Sequence, residues 1–147
     1  MRVVVQRVAR ACVRIGGDEI SRIDEGLLAF VGVSVRDGID AARTMAVKVS
    51  KLRIFPDEAG VMNRSVRDLG GAVMAVSQFT LLGDARKGNR PSYIDAAAGE
   101  AAHPIYAAFC DALRGEGVSV SEGLFGADMD VELINRGPVT ILLDSEA

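Results

Sequence analysis

Hydrophobic residues follow two spacings along this chain, and each spacing predicts a different kind of element. Short runs that are β-branched or that alternate with polar residues predict strands, because successive side chains of a strand point to opposite faces of a sheet. The run 27–33 is apolar or glycine throughout, which is typical of a central strand covered on both faces. The other predicted strands span residues 1–5, 8–15, 19–23, 73–78, 118–122, 129–134 and 139–143.

Helical spacing occurs in two segments, 40–51 and 100–113, in which apolar residues recur every three or four positions. Pro104 falls in the first turn of the second segment, where a helix tolerates proline. Early hairpins followed by mixed strand pairing predict an α+β fold, in which a curled, partly closed, barrel-like sheet carries two main helices on one side. The sequence has no repeat or linker, so we expect a single domain over residues 1–147.

The stretch 75–93 carries the clearest signal of a site. It begins as an apolar strand, and polar side chains follow where that strand ends, at Ser77, Gln78 and Thr80. The loop beyond them holds three cations, Arg86, Lys87 and Arg90. Strand ends that lead into such loops often carry sites, and clustered arginine and lysine suit a phosphate. The same pattern also fits hydroxyls bonded to backbone and a solvated basic loop.

Composition narrows the function classes. Seventeen basic and twenty acidic residues give the 147-residue chain a net charge of −3, which argues against a protein that coats nucleic acid through bulk charge. Cys12 and Cys110 have no metal-like or redox-like spacing, so we expect two reduced core thiols. No apolar run reaches the length of a transmembrane helix, and no signal-peptide pattern precedes the first strand, so we expect a cytoplasmic protein with no membrane partner.

The usual catalytic signatures are missing from the sequence. The single histidine, His103, lies on a predicted helix with no cysteine or second histidine near it, so we expect no metal site. Ser77 lacks the Gly-x-Ser-x-Gly elbow that exposes a nucleophile, and no glycine pattern matches a nucleotide-binding loop, so no cofactor is expected. By elimination, a site at 77–80 would supply hydroxyls, an amide and backbone groups, which suit orientation and electrostatic stabilisation.

Four motifs carry a family resemblance. In chain order they are Ser-Gln-Phe-Thr at 77–80, Lys-Gly-Asn-Arg-Pro-Ser-Tyr at 87–93, Phe-Gly-Ala-Asp-Met at 125–129 and Asn-Arg-Gly-Pro-Val-Thr at 135–140. With the opening strand, they resemble the D-aminoacyl-tRNA deacylases, the D-tyrosyl-tRNA deacylase family, over nearly the whole chain. Two positions depart from the pattern, because Tyr93 stands where the family usually has Phe and Arg136 where Asp is common.

The resemblance implies a hydrolase that proofreads chirality. Such an enzyme cleaves the ester between a D-amino acid and the 3′-terminal adenosine of tRNA, rejects L-aminoacyl-tRNA, and also acts on glycine mischarged onto tRNA for alanine. The residues Ser77, Gln78, Phe79 and Thr80 would line the pocket, with the backbone of Phe79 and Thr80 near the ester. In that family catalysis is attributed to the 2′-hydroxyl of the RNA, which agrees with the missing protein base.

The resemblance also implies a homodimer with its sites at the subunit interface. Gly137-Pro138 would enter the partner's pocket as a cis dipeptide and exclude L side chains, and Met129 would pack beside the site. The terminal adenosine and its phosphates would be held by Arg86, Lys87, Arg90 and Tyr93. The implied partner is therefore tRNA and a second copy of the chain, and no DNA partner is expected.

Two other functions remain open from the residues alone. One is an ordinary esterase that uses Ser77 or Thr80 as its nucleophile, and replacing each hydroxyl by Ala would distinguish it from an RNA-assisted enzyme. The other is a non-catalytic module that binds tRNA 3′ ends, which a turnover assay with D-aminoacyl-tRNA would distinguish.

Overall fold

Residues 1–146 are described by the computed structural model, which contains eight strands and three helices over that part of the chain. The strands are β1 (Arg2–Ile15), β2 (Asp18–Ile23), β3 (Gly26–Gly32), β4 (Phe55–Pro56), β5 (Met62–Arg64), β6 (Ala72–Ser77), β7 (Ser119–Glu122) and β8 (Asp130–Asp144). The helices are α1 (Ile39–Lys51), α2 (Val66–Leu69) and α3 (Gly99–Gly115). A 3₁₀ turn, Phe79–Leu82, follows β6.

Six strands form one sheet, in the order β2-β1-β3-β6-β7 with β8 paired to β1. The long β1 pairs with β3 through its first half and with β2 through its second half, so it carries the sheet around a bend. The two ends of the sheet come together where Ser121 Oγ of β7 donates to the Arg22 carbonyl of β2, at 3.5 Å. The predicted α+β fold with a nearly closed, barrel-like sheet is confirmed, and the two strands predicted at 1–5 and 8–15 are one continuous strand.

Both predicted helices are present, and they cover one face of the sheet. The apolar stripe of α1 is buried against α3 and the sheet, in a core that includes Leu27, Phe55 and Phe109. The third helix, α2, is a single turn that the sequence prediction missed. It is held by a capping box in which the Ser65 side chain accepts from Asp68 N–H and the Asp68 carboxylate accepts from Ser65 N–H.

Strand β3 is covered on both faces, as its apolar sequence predicts. Leu27 faces the helices, whereas Leu28 faces a second apolar cluster with Met74 and Val76 of β6. Each of these large side chains is fully buried or nearly so, and such burial stabilises the fold by about 1.5–3 kcal/mol per side chain. The rigid pair β3 and β6 therefore provides a fixed base for the residues that follow each strand.

Strand β8 departs from the prediction in two ways. The sequence predicted two strands separated by a sharp turn at 135–138, but β8 runs without a break and pairs with β1 along its length. The extra residues form a bulge at 136–139, because Gln6 pairs with Thr140 and Val8 already pairs with Asn135. The prediction of a cis Gly137-Pro138 bond is also wrong, because this bond is trans in the structure.

The chain changes direction at this bulge through Gly137, so the Gly137-Pro138 bond can remain trans. Gly137 has a φ of +112°, a conformation open to glycine and costly for other residues, and trans is the lower-energy form of an X-Pro bond. The Asn135 side-chain amide donates to the carbonyls of Arg7 and Val139, both at 3.0 Å, and closes the bulge. Arg7 Nε donates to the Arg136 carbonyl at 3.1 Å and fixes its position.

None of the helices within residues 1–146 has both the length and the apolar character required to cross a membrane.

Candidate active site

A cavity of about 510 Å³ opens where the parallel strands β3 and β6 end. Val33 beyond β3 and residues 76–79, from the end of β6 to the start of the 3₁₀ turn, line it together with the 125–129 segment. The remaining lining comes from Val131 and from small residues at and before the start of α3, Ala97, Gly99 and Ala102. The volume falls in the range of small-molecule sites, and carboxyl ends of parallel strands are a usual place for them.

Three of the four residues predicted at 77–80 line this cavity. Ser77 is the last residue of β6, and Gln78 N–H continues the pairing by donating to the Val31 carbonyl at 2.8 Å. Thr80 lies outside the lining, in the 3₁₀ turn, where its hydroxyl accepts a hydrogen bond from Gln78 Nε2. Thr80 therefore orients the Gln78 amide at the mouth of the cavity.

Glycine at position 32 makes the 3₁₀ turn possible. A Cβ atom at Gly32 would lie 2.6 Å from Leu82 Cδ2, 2.9 Å from the Gln78 carbonyl oxygen and 3.0 Å from Leu81 Cβ. The end of β3 thus approaches the turn more closely than any residue with a side chain could allow. This contact sets the position of Gln78 and of the residues after it.

Two aromatic rings stand beside the mouth of the cavity. Phe79 and Tyr93 meet edge to face with their centroids 5.2 Å apart, and both are exposed, at 55% and 39% of their surface. Tyr93 lies across Gly83, where a Cβ atom would come within 2.9 Å of Tyr93 Cε1. An exposed aromatic pair of this kind offers a surface on which a nucleobase can stack.

The basic loop is closed by a pair of backbone hydrogen bonds between Asp84 and Ser92, each 2.8 Å long. Arg86 is exposed, and its guanidinium donates twice to the Asp84 carboxylate of the same loop, at 2.9 Å and 2.7 Å. These hydrogen bonds from Arg86 lower the pKa of Asp84 to about 2. Lys87 and Arg90 extend from the same loop and are exposed.

The segment 123–129 is anchored to β6 and folded back on itself. Gly123 N–H donates to the Ala75 carbonyl at 3.1 Å, and Tyr106 Oη donates to the same oxygen at 3.0 Å. Met129 Sδ accepts from Leu124 N–H at 3.4 Å, in a space that exists because residue 123 has no side chain. Met129 thus lines the cavity, where the sequence placed it near the site.

Two helical N-termini lie at the cavity. Phe79 opens the 3₁₀ turn and Gly99 opens α3, and no side chain caps either end. The first N–H groups of each segment have no partner within it, and in the 17-residue α3 the aligned peptide dipoles also make this end positive. The sequence did not reveal that the start of α3 lines the cavity, because the alanine and glycine residues there have no reactive or charged side chain.

Other reactive side chains lie away from this cavity. The Cys110 thiol is buried in α3, and burial raises its pKa to about 12, so it stays neutral; Cys12 is also buried and free. His103 is exposed on α3, and its ring packs edge to face on Phe125 at 4.8 Å. Gly137 and Pro138 are exposed at the bulge and do not line the cavity of their own chain.

Solved structures share this fold. A chain titled "c-Myc DNA Unwinding Element Binding Protein" is 40% identical, with a TM-score of 0.94 and 100% of both chains covered. A chain from "Structural Analysis of a probable eukaryotic D-amino acid tRNA deacylase" superposes with a TM-score of 0.80 over 97% of both chains. Its identity of 19% supports the fold alone.

Sequence comparisons identify the family. A D-aminoacyl-tRNA deacylase from Anaeromyxobacter dehalogenans is 58% identical over 99% of this chain and 97% of its own length. One from Deinococcus radiodurans is 53% identical over 98% of this chain and 99% of its own length. The family model described as D-Tyr-tRNA(Tyr) deacylase matches residues 4–144. Together with the four motifs of the sequence, these matches show that the chain belongs to the D-aminoacyl-tRNA deacylase family of hydrolases.

Proposed function

We propose that this protein is a single-domain, cytoplasmic enzyme that removes D-amino acids and glycine from tRNA and leaves L-aminoacyl-tRNA intact. The observation that carries the proposal is the cavity at the ends of β3 and β6, which brings three family motifs together. Residues 77–79 and 125–129 line it, and Tyr93 of the 87–93 motif packs on Phe79 beside it. Its size suits an amino acid joined to one nucleoside.

The N–H groups at the start of the 3₁₀ turn would stabilise the carbonyl oxygen of the ester. Hydrolysis of an ester develops negative charge on the carbonyl oxygen, and preorganised N–H groups in a sheltered site stabilise such charge. The N–H groups of Phe79 and Thr80 start the 3₁₀ turn, so they are the donors we assign to this oxygen. Ser77 and the Gln78 amide would then orient the ester within the cavity.

The RNA would be held by its last nucleotide. The exposed rings of Phe79 and Tyr93 offer a stacking surface for the terminal adenine, and the hydroxyl that distinguishes Tyr93 from Phe leaves that surface intact. Lys87 and Arg90 are exposed on the basic loop, and we assign them to the phosphates of the RNA end. We assign Arg86 a different role from these two, because its guanidinium already pairs with Asp84 and rigidifies the loop.

Selective hydrolysis is the first expected result. D-Aminoacyl-tRNA should be cleaved about 10–200-fold faster than its L counterpart, the range that a misfitting substituent costs in an enclosed pocket. Glycyl-tRNA should be cleaved as well, because glycine has no side chain to exclude. The measurement is kcat/KM for the D-, L- and glycyl esters of one tRNA. Equal rates for the two enantiomers would contradict chirality proofreading, and binding without turnover would favour the tRNA-end-binding module.

A homodimer is the second expected result, with the bulge at 136–139 covering the partner's cavity. Gly137 and Pro138 are exposed at the bulge and do not line the cavity of their own chain. If they contribute to a site, that site therefore belongs to a second molecule. Strand β8 also exposes the apolar side chains Ile134 (45%) and Leu142 (66%), whereas β3, which looked similarly apolar in sequence, is buried by its own chain.

Charging this surface should separate the subunits. We expect Leu142→Glu to sediment as a monomer and to lose most of its activity, because a buried unpaired carboxylate is costly at an interface. Val61→Glu is the matched control, since Val61 is 58% exposed at the turn between β4 and β5, away from β8. A wild-type monomer that is fully active at assay concentration would contradict the dimer.

A further inference from the structure

Lysine and arginine residues without an acidic partner gather in two places on this chain. Most of its cations form an ion pair with an aspartate or a glutamate. Within residues 1–146, those that form none are Arg7, Lys48, Arg53, Arg64, Lys87, Arg90 and Arg136. Lys87 and Arg90 belong to the basic loop, and the others, apart from Lys48, lie on or between the β4–β5 hairpin and the bulge at 136–139. In a chain of net charge −3, cations that stay unpaired on one surface are available to an anionic partner.

The second group of cations borders an open groove of about 430 Å³. Lys51 at the end of α1, Arg53 before β4 and Arg67 of α2 line this groove, and all three are exposed. Arg64 of β5 adjoins it, because Arg64 Nη2 donates to the Asp68 carbonyl at 3.0 Å. We call these four cations and the surface between them the basic groove.

Positive charge dominates the basic groove. The Asp68 carboxylate, the acidic group of its described lining, is already engaged, since it accepts from the N–H group and the hydroxyl of the residue that caps α2, at 2.7 Å and 2.8 Å. Glu116 lies at its border, 2.8 Å from Arg67 and 3.9 Å from Lys51. The four cations therefore outnumber the two carboxylates, and arginines with free N–H groups suit phosphate oxygens.

The basic groove lies far from the cavity of its own chain and close to the bulge. Helix α2 directly precedes β6, whereas the cavity opens where β6 ends, so the six residues of this strand separate the two by roughly 20 Å. The bulge is joined to the groove through Arg7. Its guanidinium donates to the Ile54 carbonyl, next to Arg53, and also to the Arg136 carbonyl at 3.1 Å.

We infer that the basic groove of one subunit binds backbone phosphates of the tRNA whose 3′ end occupies the partner's cavity. The inference rests on the proposed function, in which the bulge of each subunit covers the cavity of the other. RNA that leads into the partner's cavity then passes the surface beside the bulge. Contacts to phosphates hold and orient an RNA without reading its sequence. The basic loop of one subunit and the basic groove of the other would thus hold the same RNA from two sides.

The first test compares two substrates with the same ester, D-aminoacyl-tRNA and 3′-O-(D-aminoacyl)adenosine, which has no phosphates. We expect the double variant Arg53→Gln/Arg64→Gln to raise KM for the tRNA about tenfold without lowering kcat, because uniform binding is lost. The steepness with which binding falls with salt should decrease by about one for each lost phosphate contact. The adenosine ester should react as with the wild-type enzyme. Equal changes for both substrates, or an unchanged KM for the tRNA, would overturn the inference.

Three further variants separate charge from folding. Arg53→Lys/Arg64→Lys should restore most of the affinity for tRNA, because both charges remain. Arg64→Gln alone leaves the hydrogen bond from Arg53 Nε to the Asn63 carbonyl intact and should still raise KM for the tRNA about threefold. Arg43→Gln is the matched control, since Arg43 is exposed on the same helix as Lys51, about two turns closer to its start, and pairs with Asp40. Its KM should equal that of the wild-type enzyme.

Mixed dimers show which cavity the groove serves. One subunit would carry Gly32→Ala, which impairs its cavity and keeps its groove, and the other would carry Arg53→Gln/Arg64→Gln. The intact cavity then faces the intact groove of the other subunit, so the inference predicts the wild-type KM for D-aminoacyl-tRNA. A KM as high as that of the double variant would overturn it, because the groove would then serve its own cavity.

Binding of uncharged tRNA keeps the inference separate from the proposed function, because it requires no turnover. In a filter-binding titration, Arg53→Gln/Arg64→Gln should weaken the affinity about tenfold, and Arg43→Gln should leave it unchanged. Equal affinities for the wild-type enzyme and the double variant would overturn the inference. A wild-type enzyme that binds tRNA in this way but fails to cleave its D-aminoacyl ester would instead overturn the proposed function.

Discussion

A tRNA that ends in 2′-deoxyadenosine should be hydrolysed about a thousandfold more slowly than the same tRNA ending in adenosine, because a positioned acid–base group typically contributes about 10²–10⁴ to a rate. The described cavity offers Ser77, Gln78 and backbone N–H groups, but no histidine, lysine or cysteine. Asp128 is the one carboxylate among the described lining residues, and it is exposed and makes no hydrogen bond that would orient it as a base. The 2′-hydroxyl adjoins the ester and is the remaining group that can assist attack.

The measurement is the single-turnover rate of each D-aminoacyl ester, after its spontaneous hydrolysis is subtracted. Competition between the two tRNAs would show that the deoxy form still binds, so that the loss lies in the reaction step. Ser77→Ala and Thr80→Ala should each cost less than about tenfold, because a neutral hydrogen bond is worth about 0.5–1.5 kcal/mol. An inactive Ser77→Ala or Thr80→Ala enzyme, together with normal turnover of the deoxy substrate, would identify an ordinary esterase.

Replacing Gly32 by alanine should cost about a hundredfold in kcat/KM, the loss that about 1 Å of misplacement can cause in an active site. The new methyl group would collide with the Gln78 carbonyl and with Leu82, so the 3₁₀ turn would have to move away from β3. Because Phe79 opens that turn, its N–H group and its ring would move with it. We also expect the free energy of unfolding to fall by about 1–3 kcal/mol from overpacking.

Gly115→Ala is the matched control, because a Cβ atom at Gly115 would meet nothing within 4 Å. It lies at the end of α3, where alanine is favoured over glycine, so neither activity nor stability should fall. Thermal unfolding and circular dichroism would separate the local effect at position 32 from global misfolding. A Gly32→Ala enzyme with wild-type rate and stability would show that the turn does not depend on this close approach.

Elements with a strong local pattern could be predicted from the sequence. Strand β3 has an unbroken apolar run, which predicts burial on both faces. Helices α1 and α3 repeat their apolar residues at helical spacing, which predicts one buried face for each helix. The position of Ser77 and Gln78 followed from the same reasoning, since polar side chains at the end of a buried strand must face a cavity or solvent.

Features that depend on distant partners could not be predicted. Gly137-Pro138 has the composition of a turn, yet pairing with β1 on both sides makes it a bulge within one strand. Gly99 and Ala102 give no chemical signal, and only the packing of α3 against the sheet brings them to the cavity.

The bulge at 136–139 also affects how the molecule behaves in a concentrated solution. Strand β8 pairs with β1 alone among the described residues, so its outer side is an unpaired edge fifteen residues long, on which alternate residues present backbone donors and acceptors. A long, straight edge of this kind can recruit strands from other molecules and start fibril growth. The bulge bends the strand and divides the row into two short stretches, and Pro138 removes one N–H donor at the division. The bulge at 136–139 therefore also protects the chain against uncontrolled aggregation.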